Sequence, residues 1–322
     1  MNVSRREFIK LSAASAAAMS LGGLTAIGQS RNGIPYRKLG KTDLDISILS
    51  IGGYSIGVDS LTEQESITMM RTAIDEGVNF FDNAWHYHSG GSEERMGKAL
   101  QDGYRDKVIL MTKHHGKTPE YAQQHLEDSL RRLQTDHIDV WQFHELDEQW
   151  EIDSIYESGV LDYVLQAKEE GKIGHIGFTG HHRPAIHLEM INRGFDWETV
   201  QMPVNVLDQH YLSFSNNVLP MAVEKNIGVI AMKTLGGGRL YDEGIVTPEE
   251  ALRFAWTLPV STVCSGMESM EMLKENINSA RNFEPMSEEE ITDLLKRTVQ
   301  YAVGGEYEWY KTYTPDPDRE FG

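Results

Sequence analysis

From about residue 34 onward, apolar runs of four to six residues alternate with amphipathic stretches of ten to sixteen, and the alternation occurs eight times. This is the pattern of parallel strands covered by helices, because a strand buried on both faces needs no polar alternation. The runs fall at Ser47–Gly52, Asn79–Asp82, Val108–Thr112, Ile138–Phe143, Ile173–Phe178, Thr199–Pro203, Gly228–Met232 and Thr262–Ser265. Eight such units predict an α/β fold closed as a (β/α)8 TIM barrel. Helix starts are marked by Thr62 at the head of a TEQE capping box, by Thr118-Pro119 and by Thr247-Pro248-Glu249-Glu250. Residues 34–46, with a turn at Gly40-Lys41-Thr42, read as an N-terminal hairpin plugging one end of the barrel, and residues 287–303 read as an extra C-terminal helix. The tail after Tyr307 is polar, contains proline and is expected to be loose. Without a linker or repeat to interrupt the pattern, residues 29–322 are expected to form one domain.

With 322 residues, 40% of them hydrophobic and 25% charged, the chain can bury a substantial core. Its formal charge is −19, and no Lys/Arg cluster follows the N-terminus, so nucleic acid and anionic lipid are disfavoured and a small-molecule ligand is expected. The single cysteine, Cys264, excludes an intrachain disulfide and a zinc site built on two or more thiolates. At the N-terminus Arg5 and Arg6 precede Phe8 in SRREFIK, and the weakly apolar LSAASAAAMSLGGLTAIG follows, the layout of a twin-arginine export signal. Ala26 and Gly28 offer small residues for cleavage near Gln29, and the stretch is too rich in Ala, Ser and Gly for a stable membrane span. Residues 1–28 are therefore expected to be a signal peptide recognised by the twin-arginine machinery, leaving a periplasmic mature protein without a membrane anchor.

In barrels of this kind the working residues sit at the C-terminal ends of strands. The second run ends FDNAWHYH, the third MTKHH and the fourth QFHE, so Asp82, Tyr87, Lys113 and His144 converge on one rim. A phenol with a pKa near 10 is a weak donor at neutral pH, and a neighbouring ammonium favours the phenolate and lowers that value. Asp82 would hold Lys113 charged, while His144 would orient a carbonyl and share the proton. Taken singly, each reads better as structure: Asp82 as a helix cap, Lys113 as a rim ion pair and His144 as a core histidine. At consecutive strand ends the four point to an acid–base site.

The string Asp82-Asn83-Ala84-Trp85-His86-Tyr87, followed by Ser92-Glu93-Glu94 and Gly97, resembles the signature of the aldo-keto reductase family. Lys113 and His144 fall where that family keeps its other two catalytic residues, and the resemblance runs from about Tyr36 to Phe283. It implies hydride transfer between NAD or NADP and a carbonyl or alcohol, with Asp82, Tyr87, Lys113 and His144 catalytic. Tyr87 would protonate the carbonyl oxygen in reduction and act as base in oxidation. Gln201 matches the glutamine that bonds the nicotinamide carboxamide. Thr179 stands for a serine hydroxyl, whereas Gly180 occupies a position where the family often has Asn and supplies no amide. Met232 replaces a ring-stacking tyrosine, and a thioether can still pack on a ring. Lys233, Leu235 and Gly237 in KTLGGG suit a pyrophosphate, through charge and close backbone approach. Gly266 and the pair Glu275-Asn276 align with the adenosine-phosphate segment. Members using NADP commonly place a cation near Gly266 and Met272, where this chain has Glu268, so NAD is expected to be at least as acceptable as NADP.

Seven histidines, His86, His88, His114, His115, His144, His181 and His182, crowd the same rim. Such density also suits a zinc or manganese hydrolase or isomerase. A lysine among the imidazoles, without carboxylates at several strand ends, favours instead a polar pocket with no metal. Trp85, His86, His88 and His181 are the expected substrate contacts, in a mouth that suits a sugar, polyol or sugar derivative. A third reading is a redox-sensing binding protein that retains its cofactor with little turnover; the complete acid–base set argues against it. An exported enzyme of this kind would load its cofactor before crossing the membrane and hold it tightly.

Overall fold

The computed structural model describes residues 29–314; the segment read as an export signal, 1–28, lies outside them. Eight parallel strands close into a barrel in chain order: β4 (Leu49–Gly52), β5 (Phe80–Asp82), β6 (Ile109–His114), β7 (Ile138–Phe143), β8 (Ile173–Thr179), β9 (Thr199–Pro203), β10 (Gly228–Met232) and β11 (Thr262–Ser265), which pairs back to β4. Helices cover the outside. Thr62 and Thr247 complete capping boxes, and Thr118 accepts a bond from the Tyr121 amide ahead of Pro119. The C-terminal helix runs Glu288–Thr298 behind a capping box on Ser287, shorter than the sequence suggests because 3₁₀ turns at Val299–Tyr301 and Val303–Gly305 take over its last part. Among the described residues no helix is long and apolar enough to cross a membrane.

The first expected strand is in fact two. Ahead of the barrel, β1 (Ser30–Arg31), β2 (Ile34–Lys38) and β3 (Asp45–Ser47) form a small antiparallel sheet. Asn79, expected to open a barrel strand, fastens this sheet to the barrel instead: its side chain accepts from the Ser47 amide at 2.8 Å and donates to the Asp45 carbonyl at 2.9 Å. Leu39 and Ile46 thereby enter the barrel floor and pack with Phe80, Met111, Val140 and Ile230.

The C-terminal segment also departs from expectation. Of the tail expected to be loose, Glu308, Tyr310 and Lys311 are instead buried while Trp309 stays exposed, because they supply an ion pair and aromatic surface in one short stretch; residues 315–322 lie outside the described residues. Lys311 Nζ lies 2.7 Å from Asp208, 2.8 Å from Glu308 and 2.9 Å from the Tyr211 carbonyl, and its side chain is fully buried. Asn205 donates to Glu308 and to the Tyr310 hydroxyl, and Asp208 accepts from the amides of Phe214 and Ser215. This strap therefore ties the chain's end to the loop after β9.

Two outcomes follow from these packed groups. Replacing Lys311 by Met would leave Asp208 and Glu308 buried without their cation, a loss of about 3–5 kcal/mol; a thermal melt of Lys311→Met is expected to shift down by many degrees, and an unchanged melt would show the strap to be dispensable. Burial also drives His187 down to about 3 and His125 to about 4. Both titrate near 6.5 in the unfolded chain, so below that pH the unfolded state binds more protons and stability falls progressively until the folded values are reached. Urea midpoints measured from pH 7.5 to 4 are expected to drop, and His187→Gln should flatten the slope; an equal slope in the variant would assign the acid sensitivity elsewhere.

Candidate active site

Side chains alternate along a strand, so residues two apart share a face. Inside this barrel the alternation turns from apolar to polar on the way up: Phe80 then Asp82 on β5, Met111 then Lys113 on β6, Val140 then Gln142 on β7. Gln142 bonds across to Thr199, and a side chain at Gly177 would collide with that pair. The polar layer above centres on Asp82. One oxygen is in ion-pair contact with Lys113; the other accepts from Gln201 Nε2 at 3.2 Å and from the Cys264 thiol at 2.9 Å. Lys113 Nζ donates also to the Asn83 carbonyl at 2.7 Å and to the Tyr87 hydroxyl at 3.5 Å, and lies 4.9 Å from the centre of the Tyr87 ring.

The structure thus brings Asp82, Lys113 and Tyr87 together, with the His144 ring 5.7 Å from the Tyr87 ring. The electrostatics differ from the expectation. Burial, followed by the Asp82 carboxylate, pushes the Tyr87 phenol well above its ordinary value. The ammonium does not offset this because Asp82, in direct contact, already balances its charge. His144 is pushed well below the usual imidazole range by burial and by its neighbours His115, His86 and Lys113, so its ring is neutral at pH 7.

His86 faces the site, with Nδ1 2.9 Å from His115 Nε2 and its ring 4.9 Å from His144. His181 lies 3.1 Å from Glu145 across the mouth. Two expected substrate contacts are turned elsewhere. The Trp85 indole stacks on His125 at 3.8 Å and its N–H reaches Asp128 at 3.3 Å, both on the helix Pro119–Leu133, so it packs on the barrel's shell. His88 has a left-handed backbone (φ 52°) and its Nε2 lies 2.8 Å from the Tyr54 carbonyl, which points it along the rim rather than at Tyr87. His115, expected among the rim histidines, lies in the mouth; residues given no role from the sequence include Glu145 in the mouth and Tyr54 at its edge, 5.5 Å from the Tyr87 ring. Glu145 was readable only as the last letter of QFHE; its approach to His181 depends on loops that meet only in the fold.

The residues matched to a nicotinamide cofactor fit such a group. Gln201 Oε1 is buried and has no hydrogen-bond partner among the described residues, an acceptor suited to a carboxamide N–H. Thr179 is buried at the end of β8, and a side chain at Gly180 would strike the Leu146 carbonyl, so this position supplies no side-chain amide. Met232 is half-buried at the end of β10, and Lys233 follows with a left-handed backbone (φ 57°), its burial lowering the ammonium's pKa. Gly236, Gly237 and Gly238 all have positive φ; the Gly236 and Gly238 amides bond within the turn to the Lys233 and Leu235 carbonyls, exposed Gly237 allows close backbone approach, and Leu235 packs partly on the core. Gly266 and Glu275 are exposed, whereas Asn276 is buried and donates to Ser265 at 3.0 Å.

Sequence and structure comparisons agree with this geometry. The model of the aldo/keto reductase family matches residues 48–250, and that of the twin-arginine translocation signal matches residues 2–22. An uncharacterized oxidoreductase of Bacillus subtilis is 33% identical over 229 residues, covering 64% of this chain and 68% of the relative. An L-galactose dehydrogenase of Arabidopsis thaliana is 25% identical over 304 residues, covering 80% of this chain and 92% of the relative. The holo form of an aldo-keto reductase from Bacillus halodurans superposes with a TM-score of 0.71 at 26% identity, covering 85% of this chain and 99% of that one. With a barrel closed by eight parallel strands and a family match across most of it, the chain belongs to the aldo/keto reductase family of oxidoreductases and carries a twin-arginine signal sequence.

Proposed function

We propose that the mature protein, residues 29–322 as one domain, is a periplasmic oxidoreductase that moves hydride between NAD or NADP and the carbonyl or alcohol carbon of a sugar or polyol. The observation that carries this reading is the Lys113 ammonium, held by Asp82 and 3.5 Å from the Tyr87 hydroxyl. A bound nicotinamide supplies or takes up the hydride. Gln201 and Thr179 would hold its carboxamide and Met232 one face of its ring. Lys233, Leu235 and Gly237 would hold the pyrophosphate, and Gly266, Glu275 and Asn276 the adenosine end. Glu268 beside that end repels a 2′-phosphate and favours NAD.

Tyr87 is the proton donor. Its raised pKa keeps it neutral at physiological pH, the form that can protonate a carbonyl oxygen as negative charge develops there. Lys113, placed against both the ring and the hydroxyl, donates a hydrogen bond to the phenol oxygen as its proton leaves, and Asp82 prevents the ammonium from drifting. Neutral His144 donates a hydrogen bond to the same oxygen and fixes the carbonyl's orientation. Neighbouring His86 and His181 supply polar edges to substrate hydroxyls, and the similarity to an L-galactose dehydrogenase supports a sugar. Because the twin-arginine route carries folded proteins, the cofactor would enter in the cytoplasm and stay bound.

Purified mature protein, screened with sugars, polyols and simple aldehydes by nicotinamide absorbance, is expected to respond to a sugar or polyol. With that substrate Tyr87→Phe should lower turnover by about 10²–10⁴-fold and leave cofactor titration unchanged; turnover within a few-fold of the parent would remove Tyr87 from the acid's role. Since the phenol loses its proton only above its ordinary value, about pH 10, the reductive kcat is expected to stay flat from about pH 6 to 9 while the oxidative kcat climbs with pH. A reductive rate that falls between about pH 7 and 8, with that fall absent in Tyr87→Phe, would mean the phenol is acidic instead.

A further inference from the structure

We propose that His86, His115, His144 and Glu145 form a binding site for one divalent transition-metal ion of the zinc class. One ligand atom from each lies within 4.8 Å of all the others. The three imidazoles face one another in a triangle, with ring centres 4.7, 4.8 and 4.9 Å apart. A tetrahedral ion with bonds of about 2.0–2.1 Å to nitrogen sets its donors about 3.3 Å from each other. His86 Nδ1 and His115 Nε2 already stand 2.9 Å apart, so small side-chain rotations complete the set. His144 adds an independent sign: it is buried at the mouth, and its Nδ1 has no hydrogen-bond partner among the described residues.

The donor set selects the ion. Three imidazoles and one carboxylate suit zinc, nickel or copper, whereas calcium and magnesium prefer oxygen ligands throughout. His181, 3.1 Å from Glu145 Oε1, is placed as the outer hydrogen bond that orients a ligating carboxylate. Lys113 is paired with Asp82, and Lys233 is attracted by the Glu145 carboxylate, a charge that a bound metal would share. Four protein donors fill a tetrahedral sphere and leave no open position for a reacting group, so the bound ion blocks rather than catalyses. It withdraws His144 from the carbonyl oxygen. That consequence rests on the reductase reading; binding itself does not.

Cobalt(II) reports such a site directly, because tetrahedral coordination gives intense visible absorption that the hydrated ion lacks. Chelator-treated mature protein is expected to take up one equivalent of cobalt with this signature and to lose it when zinc is added. His115→Ala should weaken cobalt binding by about 100-fold and the conservative Glu145→Gln by about 10-fold. His175→Ala, at the opposite end of the barrel, should leave it unchanged. Absence of the tetrahedral spectrum, or equal affinity in all four proteins, would overturn the site while leaving the reductase reading intact. Tyr87→Phe should bind cobalt like the parent. In the turnover assay zinc is expected to compete with the carbonyl substrate in the parent and to lose potency in His115→Ala; metal bound without inhibition would overturn the blocking role.

Discussion

The ion pair between Lys113 and Asp82 is the interaction on which the rest of the site depends. Both side chains are almost entirely shielded, at 1% and 4% exposure, and two charges taken out of water this completely cost several kcal/mol each before their attraction is counted. They persist because every face of the pair is used. Asp82 accepts from Gln201 and Cys264 with its second oxygen, while Lys113 reaches the Asn83 carbonyl and Tyr87. Removing either charge would strand the other, so the strands that carry them, β5 and β6, are held in register by chemistry at their tops as well as by their ladder.

That placement follows from the period of a strand. The barrel needs an apolar floor, which Phe80, Met111, Val140 and Ile230 supply together with Leu39 and Ile46 from the N-terminal sheet. Two residues further along the same strands, the same inward direction delivers Asp82, Lys113 and Gln142. Floor and site are therefore one arrangement: sliding β5 by a single residue would turn Asp82 away from the barrel interior and could bring Phe81 to the mouth in its place.

The strands and the Asp82, Lys113 and Tyr87 cluster were legible because both depend on local periodicity and on where a strand ends. Helix starts at Thr62, Thr118 and Thr247 were legible for the same reason, since a cap is written within four residues. What escaped depends on distant partners. Glu308, Tyr310 and Lys311 read as a polar tail because the groups that bury them, Asn205 and Asp208, lie about a hundred positions earlier. Trp85 read as a stacking face for substrate, but His125 and Asp128 claim it from a neighbouring helix. The direction of the Tyr87 shift was misjudged because charge was weighed pairwise; with Asp82 counted, the ammonium is balanced and burial prevails.

Lys233 is the contrasting cation. It is half-buried where Lys113 is fully buried, and it faces the rings of Trp309 and Tyr310, 5.7 and 5.6 Å away, with Glu145 attracting it without a recorded ion-pair contact. Aromatic faces compensate a desolvated ammonium only partly, and burial accordingly lowers its pKa. A pyrophosphate seated on the adjoining glycines would provide the missing countercharge, strengthening its own binding by the same energy that the lysine lacks without it. The strap that carries Trp309 and Tyr310 is anchored by Lys311, so the charge that fastens the chain's end also fixes the low-dielectric wall against which Lys233 works. In the proposed reading, an exported enzyme that must keep its cofactor would draw its grip from this mismatch: a cation left underpaired until the anion arrives.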